Sequence, residues 1–109
     1  MAGFIKVNKQ KTWSAASWVF NHILRVSRKH LPIEGSARIF ELIDDITPGL
    51  NSLSLEDLSP EEMKLFRDAL KGAYQEMLTT GRQSFGEPEF YPGFMQRFEE
   101  LLEMVLADQ

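Results

Sequence analysis

The clearest pattern of apolar and polar positions lies between Ser59 and Gly81, where apolar residues recur every three or four positions. This spacing predicts an amphipathic helix over about 60–80. Ser59 suits the N-cap, Pro60 the first helical position, and Glu62 the third position, from which it can complete a capping box. Gly81 predicts the end of the helix. The expected inner face contains Met63, Phe66, Leu70, Ala73, Tyr74, Met77 and Leu78.

Helical periodicity also indicates three other helices, over about 13–31, 37–47 and 93–107. The first is apolar around most of its circumference, Trp18 included, so it is expected to be the most buried. Ser36 is the expected cap of the second, which Pro48 would end. The last places its carboxylates opposite its apolar face. That face is Phe94, Phe98, Leu101, Leu102, Val105 and Leu106.

Two short apolar segments fit no helix. Residues 4–7 could form a strand, but a lone strand has no partner, so we expect an extended arm over residues 1–11. Leu50–Leu58 has near-alternating apolar residues, yet its asparagine and serines favour a loop. The expected fold is therefore all-α: a single-domain bundle of four main helices with a short extended N-terminal arm, spanning residues 1–109.

Composition is that of one folded domain: 109 residues, 43% apolar and 26% charged. The absence of cysteine excludes disulfides and thiolate chemistry. Residues near the N-terminus do not form the apolar run of an export signal. The most apolar stretch, 13–26, is too short and too polar to span a membrane. These observations lead us to expect a cytoplasmic protein.

Charge is distributed unevenly along the chain. Residues 1–35 contain six Lys and Arg against one acid, a net charge of +5, whereas residues 36–109 contain six against fifteen, a net charge of −9. An acidic surface disfavours nucleic acid as the main ligand and suits a basic protein partner. A second explanation has equal weight: the acidic surface serves only to keep the protein soluble.

Residue patterns for catalysis or metal binding are absent from the sequence. His22 and His30 are eight positions apart and cannot together hold a metal from one helix. No nucleophile elbow or phosphate-binding glycine loop occurs. Neighbouring carboxylates lie on helix faces that are expected to be solvated. We therefore expect no enzyme activity, metal or cofactor. A small-ligand carrier or enzyme with a pocket near Trp13, Trp18 and His22 stays an open hypothesis.

A basic cluster on the first predicted helix contains Arg25, Arg28, Lys29 and His30. It could contact phosphates, which would make the chain a small helical transcriptional regulator or a nucleic-acid-associated adaptor. The same side chains could instead form salt bridges with acids of the second helix. We favour the salt bridges, because the first helix is mostly apolar and carries few residues suited to reading bases.

The segment from Gly81 to Gly93 has three glycines and two prolines, which predict a loop. It also contains aromatic residues, arginine and acids, the types that dominate binding energy at interfaces. The phenylalanines could equally close the end of the bundle. Tyr91 is the better candidate to face a ligand, because its hydroxyl needs a partner.

The stretches LSPEEMKLFRDALKGAYQEML and FGEPEFYPGFMQRFEELLEMV, in a small acidic chain without cysteine, resemble immunity proteins of contact-dependent growth inhibition systems. The resemblance implies a protein that stays in the cytoplasm. It would bind one cognate toxin, commonly a basic nuclease, and cover its active site or substrate path. We expect this partner to bind either the acidic group Glu41, Asp44 and Asp45 or the loop that contains Glu87, Glu89 and Tyr91, because both combine charge with exposure. From the residues themselves we expect a monomer or homodimer with no nucleic-acid or membrane partner.

Overall fold

The chain begins with a β-hairpin. The computed structural model describes residues 2–46, 51–81 and 88–107. Strand β1 (Ala2–Lys6) pairs antiparallel with β2 (Thr12–Ala16), and Ile5 lies opposite Trp13. In the turn, Asn8 Oδ1 accepts hydrogen bonds of 2.8 Å from the backbone N–H groups of residues 10 and 11. The asparagine side chain therefore stabilises the connection between the strands.

A third strand completes a mixed sheet. Strand β3 (Ser52–Ser54) pairs parallel with β1, which gives the order β2-β1-β3. Side chains alternate between the two faces: Ile5 and Leu53 are buried, whereas Phe4 is exposed. One face of the sheet therefore joins the core.

Four α-helices accompany the sheet in the described residues. The bounds are α1 Ser17–Lys29, α2 Ala37–Asp44, α3 Pro60–Glu76 and α4 Tyr91–Ala107, with a π-helical turn Met77–Gly81 after α3 and a 3-10 turn Pro88–Phe90 before α4. Helix α1 packs on β1 and α3, and α4 packs on α3 and β2. Fully buried side chains from the sheet and from all four helices form one core: Ile5, Phe20, Ile23, Ile39, Phe66, Leu70, Phe94, Phe98, Leu101 and Val105.

The all-α prediction is wrong, because the described residues form a three-stranded sheet as well as helices. The expected arm, 1–11, contains β1, and the expected loop, Leu50–Leu58, contains β3. Each segment lacks a partner when it is considered alone, yet each is the partner of the other. Residues 13–16, predicted as helix, belong instead to β2, which pairs with β1 and buries Trp13.

The predicted and observed helix boundaries agree best where neighbouring residues provide the start signal of the helix. The predicted capping box is confirmed: Ser59 Oγ accepts from Glu62 N at 3.1 Å, and Glu62 Oε1 accepts from Ser59 N at 2.8 Å. The helix predicted over 60–80 corresponds to α3 and its π-helical turn. Helix α1 begins four residues later than predicted, because the chain before it belongs to the sheet. Ser36 occupies the N-cap of α2 but makes no side-chain capping bond.

Within the described ranges, no helix has both the length and the apolar character needed to cross a bilayer.

Candidate partner-binding surface

The first predicted group of binding residues lies on and just after α2. Glu41, Asp44 and Asp45 are all exposed. Asp44 receives two hydrogen bonds from the Arg28 guanidinium, of 3.0 and 2.9 Å, which hold the pKa of Asp44 below its usual value. The guanidinium carbon of Arg28 also lies 4.8 Å from the centre of the Phe40 ring. One of the three predicted acids therefore already has a positive partner within the chain.

The second predicted group lies where the 3-10 turn meets α4. Glu89 is exposed and Tyr91 is half-buried, whereas Glu87 lies outside the described residues. The Tyr91 hydroxyl donates a hydrogen bond of 2.6 Å to the carbonyl of Met77. This bond connects the start of α4 to the π-helical turn. The hydroxyl thus has a partner in the chain, and Glu89 is the exposed polar member of the group.

These two groups lie near opposite ends of α1. Asp44 contacts Arg28 near the C-terminal end of α1, whereas Phe90, next to Glu89, contacts Trp18 near its N-terminal end. Ten residues separate Trp18 from Arg28, about 15 Å along a helix axis. The structure therefore does not bring the two predicted groups together into one site.

Aromatic rings gather at the N-terminal end of α1. The centroids of Trp18 and Phe90 are 6.2 Å apart with an interplanar angle of 61°, and Trp18 stacks on Phe94 at 6.0 Å. Phe94 is buried, but Trp18 is 45% exposed and Phe90 is 50% exposed. We call Trp18, Phe90 and the adjacent Glu89 the Trp18–Phe90 patch. It combines two large aromatic surfaces with a carboxylate.

Sequence reasoning missed Trp18, which it placed on the buried circumference of a longer helix. A signal was present: Trp18 shares a helical face with Asn21 and Arg25, three and seven positions later, and all three are exposed. Because α1 begins at Ser17, Trp18 falls in its first turn, at the edge of the core. Because the helix was predicted to start at about residue 13, Trp18 was placed in its second turn, within the apolar circumference.

His22 lies next to the patch and is half-buried. Its ring meets Phe94 edge-on at 4.9 Å, and its Nδ1 is 3.2 Å from a guanidinium nitrogen of Arg25. Burial, then the charges of Arg25 and Lys29, lower the pKa of His22 below its ordinary value of 6.5. These influences favour the neutral imidazole, whose Nδ1 can accept a hydrogen bond from Arg25.

The basic cluster of α1 is engaged with side chains of the same chain. Arg28 pairs with Asp44, one of the salt bridges expected from the sequence. Glu76 accepts from Lys29 Nζ at 2.9 Å and contacts His30 Nε2 at 2.8 Å. The hydrogen bond from Lys29 lowers the pKa of Glu76 most, and the contact with His30 lowers it further. The cations therefore connect α1 to α2 and α3.

No protein-family model, curated protein or solved structure matches this chain.

One cavity formed by described residues lies beside the hairpin turn. This shallow cavity of about 240 Å³ lies between the hairpin turn and the start of α3, away from the pocket anticipated near Trp13, Trp18 and His22. Its volume is below the roughly 300–1,000 Å³ typical of ligand pockets. Over the ranges 2–46, 51–81 and 88–107, no three His, Cys, Asp or Glu residues are grouped to hold a metal. The Trp18–Phe90 patch is therefore the strongest candidate site.

Proposed function

We propose that this chain is a binding protein that neutralises a basic protein toxin, in the manner of the immunity proteins that its sequence resembles. The observation that carries the proposal is the Trp18–Phe90 patch, in which two aromatic side chains in contact with each other are about half exposed and an exposed acid, Glu89, adjoins Phe90 in the sequence. Exposed aromatic residues that become buried on binding supply much of the energy of protein interfaces. The proposed target is a nuclease domain, whose surface must be basic to bind nucleic acid.

Charge supports a basic partner. The chain has a net charge of −4, and residues 36–109 alone have a net charge of −9. The polar face of α4 adds exposed carboxylates, among them Glu99 and Glu103. A negative surface accelerates encounter with a positive one, and the acceleration weakens as salt screens the charges. Aromatic contacts would then slow dissociation.

The mechanism requires no catalytic group in this chain. A toxin is neutralised when the bound protein covers its active site or the path of its substrate. The patch is suited to this role because its rings are held in place: Trp18 stacks on buried Phe94, which in turn meets buried Phe98 edge-on at 6.0 Å. A preorganised surface loses less entropy on binding. The proposed compartment is the cytoplasm, where a nuclease would reach its substrate.

A transcriptional regulator or nucleic-acid adaptor that uses Arg25, Arg28 and Lys29 has less support. Arg28 and Lys29 form ion pairs with carboxylates, and Arg25 lies against His22. Binding to phosphates would have to compete with these contacts. A mobility-shift assay on random duplex DNA at about 50 mM salt distinguishes the two functions. Retarded DNA would favour the regulator.

The test of the proposal begins with affinity capture from the source cells. The bait is the wild-type chain, and the matched control is the Trp18→Ala, Phe90→Ala double variant. The protein captured by wild type alone is then purified and assayed for cleavage of DNA and RNA. We expect stoichiometric inhibition by the wild-type chain, with binding that weakens between about 50 mM and about 500 mM NaCl. A captured protein without toxic activity, or one whose activity is unaffected, would contradict the proposal.

A further inference from the structure

We propose that the Trp18–Phe90 patch binds a cationic side chain of the partner, an arginine in preference to a lysine. This inference rests on the proposed function, because it names the chemistry that the same surface recognises. A guanidinium is planar, always charged and stacks on aromatic faces, and tryptophan is the best aromatic partner for it.

The geometry of the rings suits a flat cation. Trp18 and Phe90 meet at an interplanar angle of 61°, so their planes are inclined and not stacked on each other. Phe94 packs on Trp18 at an angle of 21° and fixes its position, while 45% of the tryptophan surface is still exposed. A guanidinium can therefore approach an immobilised indole without displacing the ring from the core.

The chain itself contains this type of contact. The guanidinium carbon of Arg28 lies 4.8 Å from the centre of the Phe40 ring, and its nitrogens donate two hydrogen bonds to Asp44. An aromatic ring and a carboxylate thus hold one arginine. The Trp18–Phe90 patch has exposed aromatic rings, and an exposed carboxylate, Glu89, directly precedes Phe90 in the 3-10 turn.

The basic side chains described on α1 do not prevent the approach of a cation to Trp18. The nearest basic residue on the same helical face, Arg25, is seven positions from Trp18, about 10 Å along the helix axis. That distance is close to the Debye length at physiological salt, about 8 Å, so repulsion is largely screened. Arg25 is also drawn towards His22, which lies 3.2 Å from it.

The experiment is a titration of the ¹⁵N-labelled full chain, followed by NMR, with N-acetyl-arginine methylamide. The neutral, nearly isosteric citrulline derivative and the leucine derivative are the comparison ligands. The indole N–H of Trp18 reports on binding. The indole N–H of buried Trp13, which is bonded to the Arg97 carbonyl, reports on the fold.

We expect a saturable shift of the Trp18 and Phe90 signals, with arginine binding about three- to fivefold more tightly than citrulline. Phe90→Ala and Trp18→Ala should remove the shift, and Glu89→Gln should weaken binding about two- to threefold. Phe4→Ala and Glu103→Gln are the matched controls, because both residues are exposed elsewhere and should have no effect. An unchanged Trp13 signal shows that each variant is folded.

Equal binding of citrulline or leucine would overturn the inference, because the patch would then recognise apolar surface alone. No shift at Trp18 would overturn it as well. If the arginine probe fails while the captured toxin is still inhibited, the cation site is wrong and the proposed function stands. If the probe binds as expected and the captured protein is not inhibited, the cation site is supported and the proposed function fails.

Discussion

The indole N–H of Trp13 donates a hydrogen bond of 3.0 Å to the backbone carbonyl of Arg97, which joins β2 to the middle of α4. Trp13 also lies opposite Ile5 in the hairpin and is almost completely buried. A single side chain therefore holds the edge of the sheet against a helix that is more than eighty residues away in the sequence.

Two substitutions of Trp13 should destabilise the fold by different amounts. Trp13→Phe keeps an aromatic ring but loses the hydrogen bond, at a cost of about 1 kcal/mol or slightly more, because some volume is also lost. Trp13→Ala should cost about 3–5 kcal/mol through the cavity that it leaves. Urea unfolding measures both. Trp18→Phe, at the exposed tryptophan, is the control and should change the free energy of unfolding by less than about 1 kcal/mol. Similar costs at the two tryptophans would contradict the hairpin.

Two glycines should respond in opposite directions to alanine. A Cβ added at Gly3 in β1 would overlap the Cβ and Cγ atoms of Phe20, a core residue of α1. Gly3→Ala should therefore cost about 1–3 kcal/mol. A Cβ at Gly93, in the first turn of α4, would meet no atom within 4 Å. Gly93→Ala should stabilise the chain by about 0.5 kcal/mol, because alanine is the better helix former. Thermal unfolding of the pair tests the close packing of β1 on α1.

His22 makes the stability of the chain depend on pH. Its pKa is lower in the folded chain than its ordinary value of 6.5, so the unfolded chain binds a proton more readily. The contribution of His22 is full above about pH 6.5 and is lost as the pH falls through the folded pKa. We expect the free energy of unfolding to fall from about pH 7.5 to about pH 5.5, and to fall less in His22→Phe. Exposed Asn21→Gln is the control and should follow wild type. A native His22 pKa above 6.5 by NMR would refute this prediction.

Glu76 should contribute through its contacts with Lys29 and His30. These contacts lower its pKa from 4.5, so its contribution is present above that pH and is lost as the pH falls through the folded pKa. Glu76→Gln should cost about 1 kcal/mol at pH 7, a small value because the pairs are partly exposed. The cost of the same substitution should shrink as the pH falls below 4.5 and Glu76 becomes protonated. Asp68→Asn, on the same helix and exposed, is the control at each pH.

The features that the sequence predicted correctly are local ones. The cap at Ser59 and the apolar face of α3 depend on residues a few positions apart, and the structure confirms Phe66, Leu70, Ala73 and Met77 as buried. Leu78, predicted on the same face, is 50% exposed, because it lies in the π-helical turn beyond α3. The β1–β2 hairpin is also local, but it was missed because residues 13–16 were assigned to a helix. The parallel pairing of β1 with β3 is not local. Ile5 and Leu53 are 48 residues apart, and neither segment is a convincing strand until the other is placed beside it.

The candidate surface was predicted in part, for a related reason. Glu89 was selected because it is an acid in a loop rich in aromatic residues, and it is exposed. Trp13 and Trp18 were placed on one long helix, whereas the strand ends at Ala16 and the helix starts at Ser17. That break determines which tryptophan is buried: Trp13 is 2% exposed and Trp18 is 45% exposed. The boundary between strand and helix therefore determines that Trp18, and not Trp13, belongs to the exposed surface.

The most direct test of the central claim is the dissociation constant of the captured toxin, measured by calorimetry for wild type, Phe90→Ala and Phe4→Ala. Both phenylalanines are about half exposed, but only Phe90 belongs to the Trp18–Phe90 patch. The account predicts that Phe90→Ala weakens binding by about 30-fold or more, the effect of losing a central interface residue, and that Phe4→Ala leaves it unchanged. Equal affinity of Phe90→Ala and wild type would contradict the account.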